Sequence, residues 1–177
     1  MPQTVFELAC AAIVVLTLAS MARRRNPREV LAEYGSLAVA GWVVEESCIL
    51  AYRFYGYADV WTVRLHLVPL LVPLIWPLVI LSARDFVQAL WPGRRWLAHV
   101  LVGAVVAFDA SLVEVVAVRA GLWSWAEPGH LNVPVIGMLG WGYFAVGASL
   151  ALSLSSRWRY PAVLAFGLMT AHTLILA

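Results

Sequence analysis

The sequence contains no lysine; all 12 basic residues are arginine. That absence excludes a Schiff base to retinal or pyridoxal phosphate, and it excludes a phosphate-loop lysine. Charge of either sign is scarce. Only 12% of the 177 residues are charged and 63% are hydrophobic, whereas about 25% of an average soluble domain is charged. With a mean hydropathy of +0.84, a water-soluble globule is excluded. The formal net charge of +2 is too small and too scattered for a nucleic-acid partner. Cys10 and Cys48 lie in separate apolar runs without metal-ligand spacing and read as packing residues. No aspartate-rich motif is present to hold magnesium diphosphate, which argues against a prenyl transferase or an ionisation-type terpene synthase. No clustered histidine box suits a membrane di-iron desaturase or hydroxylase. Neither a metal nor a cofactor is expected.

What is abundant is long apolar sequence. The segments 5–21, 30–55, 66–81, 96–118, 133–154 and 161–177 approach or exceed the roughly 17 to 25 residues that cross a hydrocarbon core. They predict an all-α polytopic bundle of about six transmembrane helices, one integral membrane domain over 1–177. The third segment carries Pro69, Pro73 and Pro77 and is expected to be kinked or tilted, since each proline removes a backbone donor. The first has no basic residue before its apolar run and Arg23, Arg24 and Arg25 directly after it, so it reads as a retained helix and not a cleaved signal. Nine arginines (Arg23, Arg24, Arg25, Arg28, Arg84, Arg94, Arg95, Arg157, Arg159) fall in alternate connections, against three (Arg53, Arg64, Arg119) in the others. This bias puts the N-terminus outside a bacterial-type inner (plasma) membrane, on the same side as the loops 56–65 and 119–132.

An ungapped shift of 65 residues aligns Gly56 with Gly121, Val68 with Val133, Pro69 with Pro134, Leu74 with Leu139 and Trp76 with Trp141. Both copies read as helix, aromatic-rich loop, Val-Pro, helix. They predict tandem hairpins over about 42–78 and 107–143, related by an axis along the membrane normal, with a site between them.

Three acids lie deep in these segments: Glu45 and Glu46 in the second and Asp109 half-way along the fourth. A charged acid near the bilayer centre costs roughly 2.5 to 3.5 kcal/mol on insertion scales, so these carboxyls are expected to face the interior and to have a task. They are the candidate catalytic residues. The purely structural reading pairs Glu46 with Arg53, seven residues along the same helix face, and Glu114 with Arg119 near the interface. For Glu114 the pairing is the expectation. The same acids also suit a proton relay.

Rings crowd the same stretches. Trp42, Tyr52, Tyr57, Trp76, Trp125, Trp141 and Tyr143, with His130 and Asn132 in the second repeat loop, are the candidate substrate-binding residues. Tyr55, Trp61 and Trp123 add to the rings, although Trp61, Trp123 and Trp125 also suit interfacial anchoring, and His130 and Asn132 also suit loop capping. A neutral carboxylic acid beside electron-rich ring faces is what proton-initiated chemistry on an isoprenoid alkene requires. The acid protonates the double bond and the π faces stabilise the tertiary cation. The run Gly147, Ala148, Ser149 with His172 on the next helix is a poor match to an intramembrane serine protease.

Several stretches together resemble the membrane carotenoid-biosynthesis family that includes the CruF-type carotenoid 1,2-hydratases. They are Phe108-Asp109, the run from Val118 to Trp125, Val133-Pro134-Val135 and Leu139-Gly140-Trp141. Glu45-Glu46, Phe54-Tyr55-Gly56-Tyr57 and Val68-Pro69 followed by Trp76 look like the same family's earlier half. The sequence departs from the family pattern at Asn132, before the second Val-Pro, and at Gly137. The resemblance implies addition of water to the linear end group of a carotenoid, without a redox cofactor and with an isoprenoid lipid as substrate in the membrane. The chemistry of the acids makes Asp109 or a member of the Glu45/Glu46 pair the proton donor. A proton-initiated lycopene or meroterpenoid cyclase is the alternative when water is excluded. A non-catalytic pigment-binding subunit or a small proton-coupled transporter is the alternative of another class.

Overall fold

The computed structural model of the chain describes residues 3–93, 95–127 and 129–176. Among them lie six helices: α1 (Gln3–Arg24), α2 (Pro27–Tyr52), α3 (Leu71–Leu90), α4 (Arg95–Arg119), α5 (Val135–Leu152) and α6 (Ser156–Leu176). Four of these, α1, α3, α4 from Trp96 and α5, are long and apolar enough to cross a membrane. The chain is therefore an integral membrane protein built of helices. α2 and α6 are equally long, but α2 carries Glu33, Glu45 and Glu46, and α6 opens on Arg157 and Arg159.

Local chemistry sets several helix ends. Asn26 accepts a hydrogen bond from the Arg28 amide at 3.0 Å, and Pro27 stands in the first turn of α2. Both are helix-start signals. At its other end Arg53 takes a left-handed conformation (φ 49°) and its amide returns to the Ile49 carbonyl. Gly121 (φ 69°) occupies the corresponding place after α4, where glycine carries no side-chain penalty. The third helix starts later than its apolar run suggests. Residues 66–70 form the end of a small hairpin, because Pro69 belongs to a strand; Pro73 falls in the first turn of α3, where no amide partner is needed. Of the three prolines, Pro77 alone stands inside the helix, which runs on to Leu90.

The helices α2 to α6 form a closed ring: α2 packs on α3, α3 on α4, α4 on α5, α5 on α6, and α6 back on α2. Small residues let these backbones approach, as is common between membrane helices. A side chain on Gly142 would meet the Ala107 methyl at 2.9 Å, and one on Gly167 would meet the Ala40 methyl at 2.7 Å. The α1 helix lies outside the ring against α3 and α2, and buries only Val14 and Met21 along its length. The main core runs through the ring from Val30 and Leu37 to Ile80, Val106, Ala148 and Val163.

Short strands close one end. β1 (Tyr55–Tyr57) pairs antiparallel with β4 (Trp123–Trp125), Gly56 opposite Ser124. β2 (Arg64–Leu65) pairs with β3 (Val68–Pro69). A 3-10 turn over His130–Asn132 precedes α5. The start of α1 reaches the same end, where Glu7 accepts a bond from the Thr62 amide at 2.9 Å and Phe6 meets Trp61 edge-on. At the opposite end lie Arg25, Arg84 and Arg159, gathered around Glu33.

Candidate functional site

The site is built where α2 and α4 run into β1 and β4. Glu45 on α2 and Glu114 on α4 are each only 4% exposed, and they lie within range of each other's charge. Glu45 accepts hydrogen bonds from the Tyr55 hydroxyl and, at 3.2 Å, from the Tyr57 hydroxyl. Glu114 accepts them from the indole N–H groups of Trp123 (2.8 Å) and Trp125 (3.1 Å), with the Trp141 indole close by. The geometry follows from strand periodicity. In Tyr-Gly-Tyr and Trp-Ser-Trp the rings are two residues apart, so both point to one face of the two-stranded sheet, the face on which the acids stand. Neutral donors thus satisfy both carboxyls, and the burial is compensated by hydrogen bonds and not by countercharge.

The rings also touch each other. Tyr55 and Trp125 have centroids 4.8 Å apart, Tyr57 and Trp123 5.7 Å, Tyr55 and Tyr57 5.8 Å. Behind them Trp76 and Trp141 stack at 3.3 Å with 15° between planes. The Trp125 ring lies on Gly137, where an added Cβ would come to 2.6 Å of it. Desolvation, then the charges of Glu45 and Glu114, push the Tyr57 phenol well above its ordinary pKa. A cavity of about 50 Å³ lies beside Trp125, Pro134 and Ile136.

Glu46 takes a separate place at the edge. It bonds the His66 ring through Nδ1 and accepts the Leu67 amide at 3.3 Å. Neither the expected pair Glu114–Arg119 nor the alternative pair Glu46–Arg53 forms. Arg53 caps the helix in an exposed left-handed turn, and Arg119 points outward while Glu114 turns in to the indoles.

The other predicted residues are dispersed. Asp109 is half-buried on α4, three and four residues before the exposed Leu112 and Val113, and makes no hydrogen bond or ion pair among the described residues. Trp42 donates to the Leu65 carbonyl at 3.2 Å. His130 and Asn132 stand exposed on the 3-10 turn. Tyr143 is 62% exposed and touches only the ring of Phe166 among the aromatic residues described. The side chain of Tyr52 lies outside the described residues. Trp61, a candidate interfacial anchor, is instead buried and donates to the Leu122 carbonyl at 3.0 Å. Ser149 bonds His99 at 2.8 Å and not His172, which is exposed. Among the described residues no group of three or more histidine, cysteine or acidic side chains could hold a metal.

The residue that sequence reasoning passed over is Glu114. Its signal was present: each acid is followed nine to twelve residues later by ring, small residue, ring. A three-residue change in register hid it. Glu46 to Glu114, Arg53 to Gly121 and Gly56 to Ser124 are all 68 apart, whereas Val68 to Val133 and the left-handed His66 (φ 60°) to Leu131 (φ 57°) are 65 apart. The second connection is three residues shorter, so an ungapped alignment matches the Val-Pro turns and misses the acids.

No family model, curated protein or solved structure matches this chain.

Proposed function

We propose that this chain is a cofactor-independent membrane enzyme acting by acid catalysis on an isoprenoid end group, with Glu45 and Glu114 as the working pair. The observation that carries the reading is the burial of two carboxyls within range of each other's charge, with hydroxyl and indole donors and no countercharge among the described residues. One carboxyl gives its proton to the CH carbon of a trisubstituted alkene, which leaves the cation on the carbon that bears the two methyl groups. The tertiary cation forms against the ring faces of Tyr55, Trp125 and the Trp76/Trp141 stack. Water adds to the cation and its surplus proton returns to a carboxylate, so the product gains one water with no change of oxidation state. If water is kept out, a neighbouring alkene captures the cation and the same site acts as a cyclase.

In this reading all six helices span an inner membrane, with N-terminus and strands outside and the arginine end in the cytoplasm. The two hairpins are tandem copies about an axis through the Trp76/Trp141 stack. Support comes from the paired strands and the left-handed residues recurring in both halves. The second reading, a non-catalytic subunit that binds a pigment on its rings, is favoured by the smallness of the cavity beside Trp125.

The test is chromatography and mass spectrometry of lipids from a carotenoid-producing host expressing the chain. A product heavier by one water, absent from Glu45→Gln and Glu114→Gln but retained in Asp109→Asn, is the expected result. An isomer of unchanged mass selects the cyclase. A profile identical to that of the empty host, with protein present in the membrane, selects the binding subunit.

A further inference from the structure

The opposite end of the molecule holds a second polar cluster with unspent donors. A cavity of about 250 Å³ lies between α1 and α3, lined by Thr17, Ser20, Arg24, Arg25, Ser82 and Asp85 together with Met21. Among the described residues the Thr17 and Ser82 hydroxyls make no side-chain hydrogen bond. Ser20 accepts from Arg24 at 3.3 Å, which leaves its own proton free to donate. Behind the cavity Glu33 is saturated: Arg25 binds one oxygen at 2.5 Å and Arg159 the other at 3.1 Å. Among the described residues Arg84 makes no ion pair, and its buried Nε, like that of Arg159, has no hydrogen-bond partner.

The charges do not balance. Arg25 and Arg84 lie within range of Glu33 and Asp85, and Arg159 binds Glu33, whereas Arg24 lines the cavity, bonds Ser20 and has no acid partner among the described residues. One positive charge is left over beside three hydroxyl donors, in a cavity at the end of the bundle between a peripheral helix and the ring. This is the chemistry of an oxyanion with several acceptor oxygens and one net charge. We infer that the cavity between α1 and α3 binds a phosphate group through Arg24, Arg25, Thr17, Ser20 and Ser82, either on an anionic phospholipid head or free in solution. The site does not depend on the reading of the acid end.

The test uses the full chain in a phosphate-free neutral detergent, titrated separately with phosphatidylglycerol, phosphatidylcholine and inorganic phosphate while thermal unfolding is followed by tryptophan fluorescence. A ligand that binds only the folded state raises the midpoint with its concentration. Phosphatidylglycerol is expected to give a saturable rise of several degrees that phosphatidylcholine does not give. Arg24→Gln and Ser82→Leu abolish it, and Asp85→Asn strengthens it by removing the cavity's own negative charge. An equal rise with inorganic phosphate, lost in the same variants, identifies free phosphate as the source. No rise with either anion overturns the inference, as does a rise that both Arg24→Gln and Ser82→Leu retain.

Discussion

The two ends of the bundle bury carboxyl groups in opposite ways. Glu33 is held by two guanidinium groups, at 2.5 and 3.1 Å, whereas Glu45 and Glu114 are held by phenol and indole donors. A countercharge fixes a carboxylate in its ionised form, and losing one partner strands the other charge. Hydroxyl and indole donors satisfy the same oxygens through hydrogen bonds alone, with no net charge set beside the acid. Burial alone therefore does not say how a carboxyl is held; the kind of donor around it does.

Five substitutions, one of them read in a pH series, test this contrast. The largest effect is expected from Glu33→Gln, which releases Arg25 and Arg159. A loss of about 3 kcal/mol is expected, at the low end for a broken buried pair because the two arginines are 29% and 23% exposed and can turn to water. Denaturant unfolding in detergent measures it. A cost as small as that of a neutral hydrogen bond would erase the distinction between the ends. Next comes Gly137→Ala, whose new methyl must displace the Trp125 ring that lies 2.6 Å from its site. Overpacking of this kind costs about 1 to 3 kcal/mol, and the displaced indole should shift the fluorescence maximum. Trp125→Phe keeps the ring but removes one of the donors to Glu114, for about 1 kcal/mol.

Alkaline titration probes the phenol side. Burial, with Glu45 and Glu114 nearby, holds the Tyr57 proton more tightly in the folded than in the unfolded chain. A raised folded-state pKa gives stability that is complete below the unfolded value, about 10, and that falls as pH climbs beyond it. The unfolding midpoint should drop above about pH 10, and Tyr57→Phe should flatten that drop. The smallest effect belongs to Asp109→Asn on α4, within about 0.5 kcal/mol for a half-buried carboxyl without a bonded partner among the described residues. A large loss there would show that the Asp109 carboxyl is held by a partner in the folded chain.

Apolar runs revealed the long helices because period and length are local properties, and α1, α4 and α5 begin and end within a few residues of the runs that announced them. The strands were not legible. Three residues such as Tyr55–Tyr57 acquire meaning only through a partner in the other hairpin, and no local pattern names that partner. Glu45 and Glu46 stood out by depth. Glu114 was assigned to Arg119, a neighbour in sequence, because helix spacing favours near partners, while its actual donors come from the strand beyond the turn. Glu33 was missed for a related reason. It stands near the end of its apolar run, and Arg159, one of its two partners, is 126 residues away.

The closure of the ring by α6 upon α2 also sets a timetable. Helices that emerge in order from the ribosome can pair as they appear, and α2 with α3, then α4 with α5, need wait only for the next segment. The last seam cannot form early. Until α6 arrives, the face of α2 that will receive Gly167 against Ala40 is open to lipid or to an insertion factor, and Glu33 has Arg25 alone as its ion-pair partner. Truncation before Ser156 should therefore leave a chain that inserts but stays unclosed, with its first long-lived acid still awaiting half of its neutralisation.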